Sequence, residues 1–272
     1  MRLIFQTAGP MLVAQVLSLL YSIVSQIYIG RIPGIGAVAL TGIGLCFPII
    51  LLITAFASLF GMGGAPLCAM ERGKGNLRQA ELIQNIALTL LIFSGAVLFL
   101  TLWIFARPLL YLLGASNDSI QYALPYLRIY LLGSIPFMIA TGMTPFVTAQ
   151  GFPIEGMKAV AAGAVSNIIL TPVFIYVFHL GIAGAAIATV ISQTLSAGII
   201  LRFLRGKNTE LKGHLVRFRE LAGNGRTIFN ITSLGSVAFI MYFSSSLVNM
   251  ISNAMLSRYG GDLFIAVMTI AA

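Results

Sequence analysis

Nine neutral polar side chains are the first candidates for chemistry within runs of sequence that are otherwise mostly apolar. They are Gln15, Ser25 and Gln26 in the first run; Ser166, Asn167 and Thr171 in the fifth; and Thr189, Ser192 and Gln193 in the sixth. Amide and hydroxyl oxygens at such depth can hydrogen-bond a ligand, help hold a desolvated cation, or tie one helix to another, but they do not exchange protons near neutral pH. Asn167 and Thr171 are four apart and share one helix face, with Pro172 directly after them; Ser22 and Gln26 share the same spacing. Two readings stay open: interhelical hydrogen bonds worth about 0.6 kcal/mol per pair, or a polar strip lining a cavity. Hydrolytic or acid–base chemistry is not indicated. All seven acidic residues (Glu71, Glu81, Asp118, Glu155, Glu210, Glu220 and Asp262) fall in loops or at the ends of runs. His179 sits at the end of a run, and Arg128 is the one charge well inside one. An intramembrane enzyme would need a nucleophile with its base, or a metal set, at that depth.

The elements that must position these residues are membrane spans. Charged residues make up 8% of the chain and the mean hydropathy is +0.98, against roughly 25% charged in a soluble protein. Runs near the ~20 residues needed to cross a bilayer occupy 9–30, 36–69, 80–106, 120–149, 157–178, 181–204 and 228–256. A further run begins at Leu263 and stops at Ala272, which leads to the expectation of a fragment cut inside its eighth span. The second, fourth and seventh runs exceed what a perpendicular helix needs and must tilt, kink or project. Pro10 in the first run and Pro125, Pro136 and Pro145 in the fourth each remove a backbone donor, so kinks are expected there. Small residues at helix-facing spacing (Gly61, Gly63, Gly64 and Ala65; Gly181, Gly184 and Ala188) would let backbones approach closely.

The net charge of +9 is explained by topology and needs no nucleic-acid partner. With the N-terminus inside, twelve of the sixteen Lys and Arg lie on the cytoplasmic side: Arg2, Arg72, Lys74, Arg78, Lys158 and seven in the loop 202–226. Arg31, Arg107, Arg128 and Arg258 lie outside. The 202–226 loop reads mainly as a solvated connector, with anionic lipid head groups as its alternative partner. It divides the chain into a six-span unit at 1–204, a basic inter-lobe loop at 205–227 and the start of a second set at 228–272. Cys46 and Cys68, 22 residues apart in one run, are roughly 33 Å apart if that run is helical, which excludes a disulfide. Two Cys and two His without clustered spacing give no metal site.

Shifting the chain by 227 residues lays the seventh run on the first. Leu20 then meets Leu247, Ser25 meets Ser252, Arg31 meets Arg258, Gly34 meets Gly261, Ala39 meets Ala266 and Ile43 meets Ile270. Both copies read as span, Arg- and Gly-bearing outer turn, span. That pattern points to two parallel halves related along the membrane normal.

Six stretches together carry a resemblance: GPMLVAQVLSLLYSIVSQIYIGRIPG, ALTGIGLCFPIILLITAFASLFGMGGAP, ALPYLRIYLLGSIPF, the TAQG after the fourth run, SNIILTPVFIY and GIAGAAIATVISQ. From about Pro10 to Leu204 the chain resembles the multidrug and toxic compound extrusion transporters, and GMGGAP followed by GKGN resembles their bacterial, drug-exporting branch. The resemblance implies an all-α integral membrane fold: a six-helix lobe of a two-lobed, V-shaped transporter, with helix 7 and a truncated helix 8. It implies no enzyme activity and no cofactor beyond a coupling ion, Na⁺ or H⁺, exchanged for amphipathic, often cationic compounds across a bacterial inner membrane. A complete protein would be a monomer in the lipid bilayer. Pro10 falls at the family's kink-forming proline, Asn167 at the fifth-helix Asn, Thr189 at a sixth-helix Thr, and Tyr126 more loosely at a fourth-helix Tyr. Ser25 and Thr171 stand where many members carry Asp. With Gln26, these define the expected substrate and cation cavity.

That departure argues against proton coupling through this lobe and leaves Na⁺ held by neutral oxygens, or carboxylates elsewhere in a full-length protein. Two alternatives remain: a lipid-linked oligosaccharide flippase of the same superfamily, which would need cavity cations and has only Arg128 to offer, and a non-transporting remnant. The threading is directly testable. A tag near Arg31 should react with an impermeant reagent in intact cells and one near Lys212 should not. Labelling of both, or of the second alone, would reverse the topology.

Overall fold

The computed structural model describes residues 2–206, 209–216 and 218–271; Lys207 and Arg217 of the basic loop lie outside the described residues. The described chain is built from nine α-helices: α1 (Arg2–Gly30), α2 (Gly36–Gly73), α3 (Leu77–Leu112), α4 (Ile120–Leu132), α5 (Ser134–Ala149), α6 (Pro153–Pro172), α7 (Gly181–Leu204), α8 (Phe218–Gly223) and α9 (Gly225–Ala271). Six helices are long and apolar enough to span a membrane, or seven spans result when α4 and α5 count as one bent span. The outward faces carry large apolar side chains such as Leu12, Ile104, Leu112 and Val237. That is the surface of a membrane protein rather than of a water-soluble one.

Every span expected from the sequence forms, with three differences in detail. The fourth is broken at Gly133, with α4 and α5 bent by 56°. Pro136 explains the position: it lacks the N–H that Leu132 O would receive and its ring crowds that same carbonyl. α1, by contrast, runs as one helix through Pro10. The second difference is length. α3 begins three residues before its apolar run and ends six after it, starting from Asn76, whose side chain accepts from the Gln79 N–H at 3.3 Å. The third is that α9 holds two arms, 225–260 and 262–271, meeting at Gly261 with φ 68°. The first arm runs antiparallel to α2, pairing Ile231 with Gly63 and Asn253 with Gly44. The second returns alongside it, with Asp262 at Thr41 and Thr269 at Gly44. Gly34, the residue that the 227-residue shift lays on Gly261, also has positive φ, at 80°.

α2 is the packing centre. It lies against α3, α4, α5 and α9, while α6 joins α1 to α7 and α7 joins α4 and α5. Its glycines make this possible. A Cβ on Gly61 would stand 2.7 Å from Gly142 O of α5, and one on Gly63 would overlap Ile231 O of α9. Pro48 leaves Gly44 O without its helical partner, and Asn253 Nδ2 of α9 takes it at 2.9 Å. Ser246 Oγ donates to Pro48 O at 2.7 Å, Ser257 Oγ to Gly114 O at 2.6 Å, and Ser116 Oγ to Asp262 Oδ2 at 2.6 Å. Cys46 and Cys68 are both free and buried on α2. Gly235→Val would push a side chain into the Leu59 backbone and should destabilise the bundle by about 1–3 kcal/mol. Gly198→Ala, inside α7 and facing open space, should leave the unfolding midpoint in detergent no lower, since Ala favours a helix over Gly; equal losses would refute the close-packing account.

Candidate functional site

Asn167, Thr171 and Thr189 come together as the spacing anticipates. Thr171 Oγ1 donates to Asn167 Oδ1 at 3.2 Å, Asn167 Nδ2 donates to Thr189 Oγ1 at 3.2 Å, and Thr189 Oγ1 donates to Ala185 O at 2.9 Å. Asn167 and Thr171 are fully enclosed, at 1% and 0% exposure. The relay thus ties α6 to α7 and leaves none of its three side chains without a partner. Directly after it, α6 passes at Pro172 into a π-helical turn, Val173–Val177. Tyr176 Oη of that turn donates to Tyr28 O of α1 at 2.8 Å. The wider π register follows a proline that cannot supply the N–H an α-turn needs.

Beside this relay lies a cavity of about 320 Å³ bounded by α1, α5, α6 and α7. Asn167, Thr189, Ser192 and Gln193 line it, as does Gln15 from α1. So do five polar residues the sequence reading did not single out: Ser18, Tyr21, Thr141, Thr144 and Ser196. Phe137, Val160 and Ile200 contribute apolar wall. Among the described residues the lining carries no carboxylate, Lys, Arg or His. Its oxygens are neutral, and several are already used: Ser196 Oγ donates to Ala159 O at 2.7 Å, Ser192 Oγ to Ala188 O at 2.8 Å and Thr144 Oγ1 to Ala140 O at 2.6 Å. Gln193 Nε2 donates to Tyr130 Oη at 3.3 Å, whereas its Oε1 is buried and accepts from no group among the described residues. That oxygen sits at the α4–α5 break, where a Cβ on Gly133 would lie 2.9 Å from it.

The other expected residues lie elsewhere. Thr171 belongs to the relay but not to the cavity wall. Tyr126 is buried and stacked on Tyr130, ring centroids 6.3 Å apart, outside the lining. Ser25 and Gln26 are half-buried on α1 and also outside it; from α1, Gln15, Ser18 and Tyr21 line the cavity. Pro10 is half-buried in the continuous α1. Arg128 is exposed, its guanidinium 5.7 Å above the Trp103 ring, so it faces outward and adds no charge to the cavity. The missed residues had a signal in their spacing: Gln15, Ser18 and Ser22, like Thr141, Thr144 and Thr148, recur at i, i+3 and i+7, and Ser192 and Ser196 at i, i+4.

The family model for MatE matches residues 10–173, from within α1 to the end of α6, including Asn167 and Thr171 of the relay. The chain belongs to the MatE family. It is similar to multidrug export protein MepA of Staphylococcus haemolyticus (strain JCSC1435), 27% identical over 252 residues, which are 92% of this chain and 54% of that protein. The chain thus spans about half the length of the curated relatives it matches. Among solved structures, the MATE multidrug transporter DinF-BH, solved as a complex, superimposes with a TM-score of 0.91 at 28% identity, covering 99% of this chain and 59% of that one. An inward-facing multidrug resistance MATE transporter of the MOP superfamily superimposes with a TM-score of 0.84 at 25% identity, covering 93% and 56%. The MatE fold therefore accounts for the six-helix unit and for α9 packed along it.

Because Asn167 stands in the middle of the relay, Asn167→Leu strands the enclosed Thr171 hydroxyl and should cost about 1–3 kcal/mol. Thr189→Val takes the acceptor from Asn167 Nδ2, but Asn167 borders the cavity, where water can replace it, so the cost should be smaller, about 0.6 kcal/mol. Chemical unfolding in detergent would give the order; a reversed order would show that the relay does not run through Asn167.

Proposed function

We propose that this chain supplies the first lobe of an exporter that exchanges a cation, Na⁺ in preference to H⁺, for amphipathic and often cationic organic molecules. In this reading 1–204 is the lobe, 205–227 the cytoplasmic inter-lobe loop and 228–272 the opening of the second lobe. The Lys- and Arg-rich end faces the cytoplasm of a bacterial cell. The two lobes of the monomer rock in alternation about a site between them.

The observation that carries this reading is the cavity. At about 320 Å³ it lies at the small end of the ~300–1,000 Å³ that small-molecule sites occupy, so it suits one wall of a larger inter-lobe site. Apolar walls with scattered neutral donors accept flat, greasy molecules without demanding one hydrogen-bond pattern. The same neutral oxygens favour Na⁺ over H⁺, since none of the lining side chains is a carboxylate that could carry the proton. What the relatives' names say, multidrug export and multidrug transport, supports the substrate class. The flippase alternative is weakened by one feature: the cation it would need, Arg128, sits over Trp103 away from the cavity.

Binding of the flat cationic dye rhodamine to the purified chain in detergent, followed by fluorescence anisotropy, tests the reading. Replacing choline by equimolar Na⁺ should weaken dye binding by about threefold or more through mutual exclusion. A change from about pH 8 to 6 should have little effect, and Gln193→Leu should weaken binding where Tyr126→Phe does not. Dye binding indifferent to Na⁺ but sensitive to pH would replace Na⁺ by H⁺. A chain that folds and binds no dye would count against the drug-export reading.

A further inference from the structure

The connector between α7 and α9 looks in sequence like a solvated charge run, yet much of it is built into the bundle. Residues 209–216 run as an irregular strap across the N-terminal turns of α3. Leu211 is fully buried and Val216 nearly so, at 0% and 6% exposure, while Lys212 and Leu215 between them are exposed. The strap is held chiefly through its backbone. Gln84 Nε2 donates to Leu211 O at 3.3 Å, the Gly213 N–H donates to Leu204 O at 2.8 Å, the His214 N–H to Asn85 Oδ1 at 3.0 Å and the Val216 N–H to Thr89 Oγ1 at 3.0 Å.

The holders are themselves fixed. Gln84 and Asn85 are enclosed at 0% and 1% exposure. Gln150 Nε2, at the end of α5, donates to Gln84 Oε1 at 2.6 Å. Asn85 Nδ2 lies 2.9 Å from His214 Nδ1, so Asn85 meets both the backbone and the ring of one strap residue. At the strap's start, Arg72 Nε donates to Glu210 Oε2 at 2.8 Å and its Nη1 to Ala149 O at 3.3 Å. A polar pair such as Gln84 and Asn85 would be costly to bury in the first helical turns of a span without partners; the strap provides them. The picture changes at 223–225. A Cβ on Gly223 or on Gly225 would meet nothing within 4 Å. Among the described residues the backbone of Asn224 between them bonds only within the segment, its N–H donating to Leu221 O at 3.1 Å and its O accepting from Thr227 and Ile228 at the start of α9.

We infer that residues 209–216 are a fixed part of the six-helix unit, clamped by Gln84, Asn85 and Thr89 of α3, and that beyond this strap the covalent connection to α9 has a flexing point at 223–225. On the exporter reading, which this deepens, the linker is then not a slack tether between lobes. Its reach is set by the short stretch after the strap, so the base of α9 pivots close to a fixed point beside α3. Lys212 and Leu215 carry none of this hold, which rests on α3 and on strap backbone.

Amide hydrogen exchange at single-residue resolution on the whole chain in detergent tests the clamp and requires neither dye nor ion, so its failure is separate from failure of the transport reading. The amides of Gly213, His214 and Val216 should exchange about a hundredfold more slowly than those of Lys212 and Leu215, and those of 223–225 should exchange faster than the clamped three, their bonds lying within one short turn. Thr89→Val, which conserves shape, should release Val216 and leave Gly213 protected; Asn85→Ala should release His214, whereas His214→Ala should keep that amide protected. Unprotected exchange throughout 209–216 in the unaltered chain would overturn the clamp. Equal protection from 209 through 225 would overturn the hinge. Protection of Val216 that survives Thr89→Val would remove α3 as the holder.

Discussion

Lipid offers helices no hydrophobic reason to prefer one another to the acyl chains around them, so this bundle depends on how closely backbones can approach along α2. Dispersion between packed main chains must do what water exclusion does in a soluble core. Gly61 meets Gly142 of α5 and Gly63 meets Ile231 and Gly235 of α9, each at a distance no side chain would allow. Two neighbours reach one helix from different sides at almost the same level. The other polar contacts of α2 follow from that approach: Asn253 and Ser246 can reach the carbonyls of Gly44 and Pro48 only because α9 already lies against them.

The cavity grows from the opposite kind of defect. Where α2 uses small residues to close gaps, the α4–α5 and α6 segments use prolines to open them. Pro136 breaks the fourth span at Gly133, and Pro172 turns the end of α6 into a π-turn. Membrane helices tolerate freed carbonyls only where protein or a polar space receives them. The polar residues of α1, α5, α6 and α7 gather around that space. The relay of Asn167, Thr171 and Thr189 then sets the distance between the two helices flanking it.

How much of this was legible in the sequence follows from what hydropathy encodes. Span number, order and approximate ends were readable, because length and apolarity are local properties. The 227-residue shift was informative as well, since Gly34 and Gly261 share a backbone conformation that other residues resist. Rotation about each helix axis was not readable. A span apolar on all sides has little amphipathic signal, so Ser25 and Gln26 looked as good as Gln15 and Ser18, and only the latter pair lines the cavity. Asn167, Thr171 and Thr189 were found because the resemblance and the i, i+4 spacing agreed. The strap was misjudged for a different reason: charge density near Lys212 concealed the two apolar side chains, Leu211 and Val216, that seat it.

The two cysteines have a practical use. Cys46 is sealed between α2 and α4, its Sγ–H donating to Ala123 O at 3.6 Å, and Cys68 is equally enclosed. Thiol reagents need a reachable thiolate, and neither residue offers one while the bundle is folded. A single cysteine placed on any exposed helix face would therefore report alone, in the native background, and the appearance of extra label would itself be a gauge of unfolding.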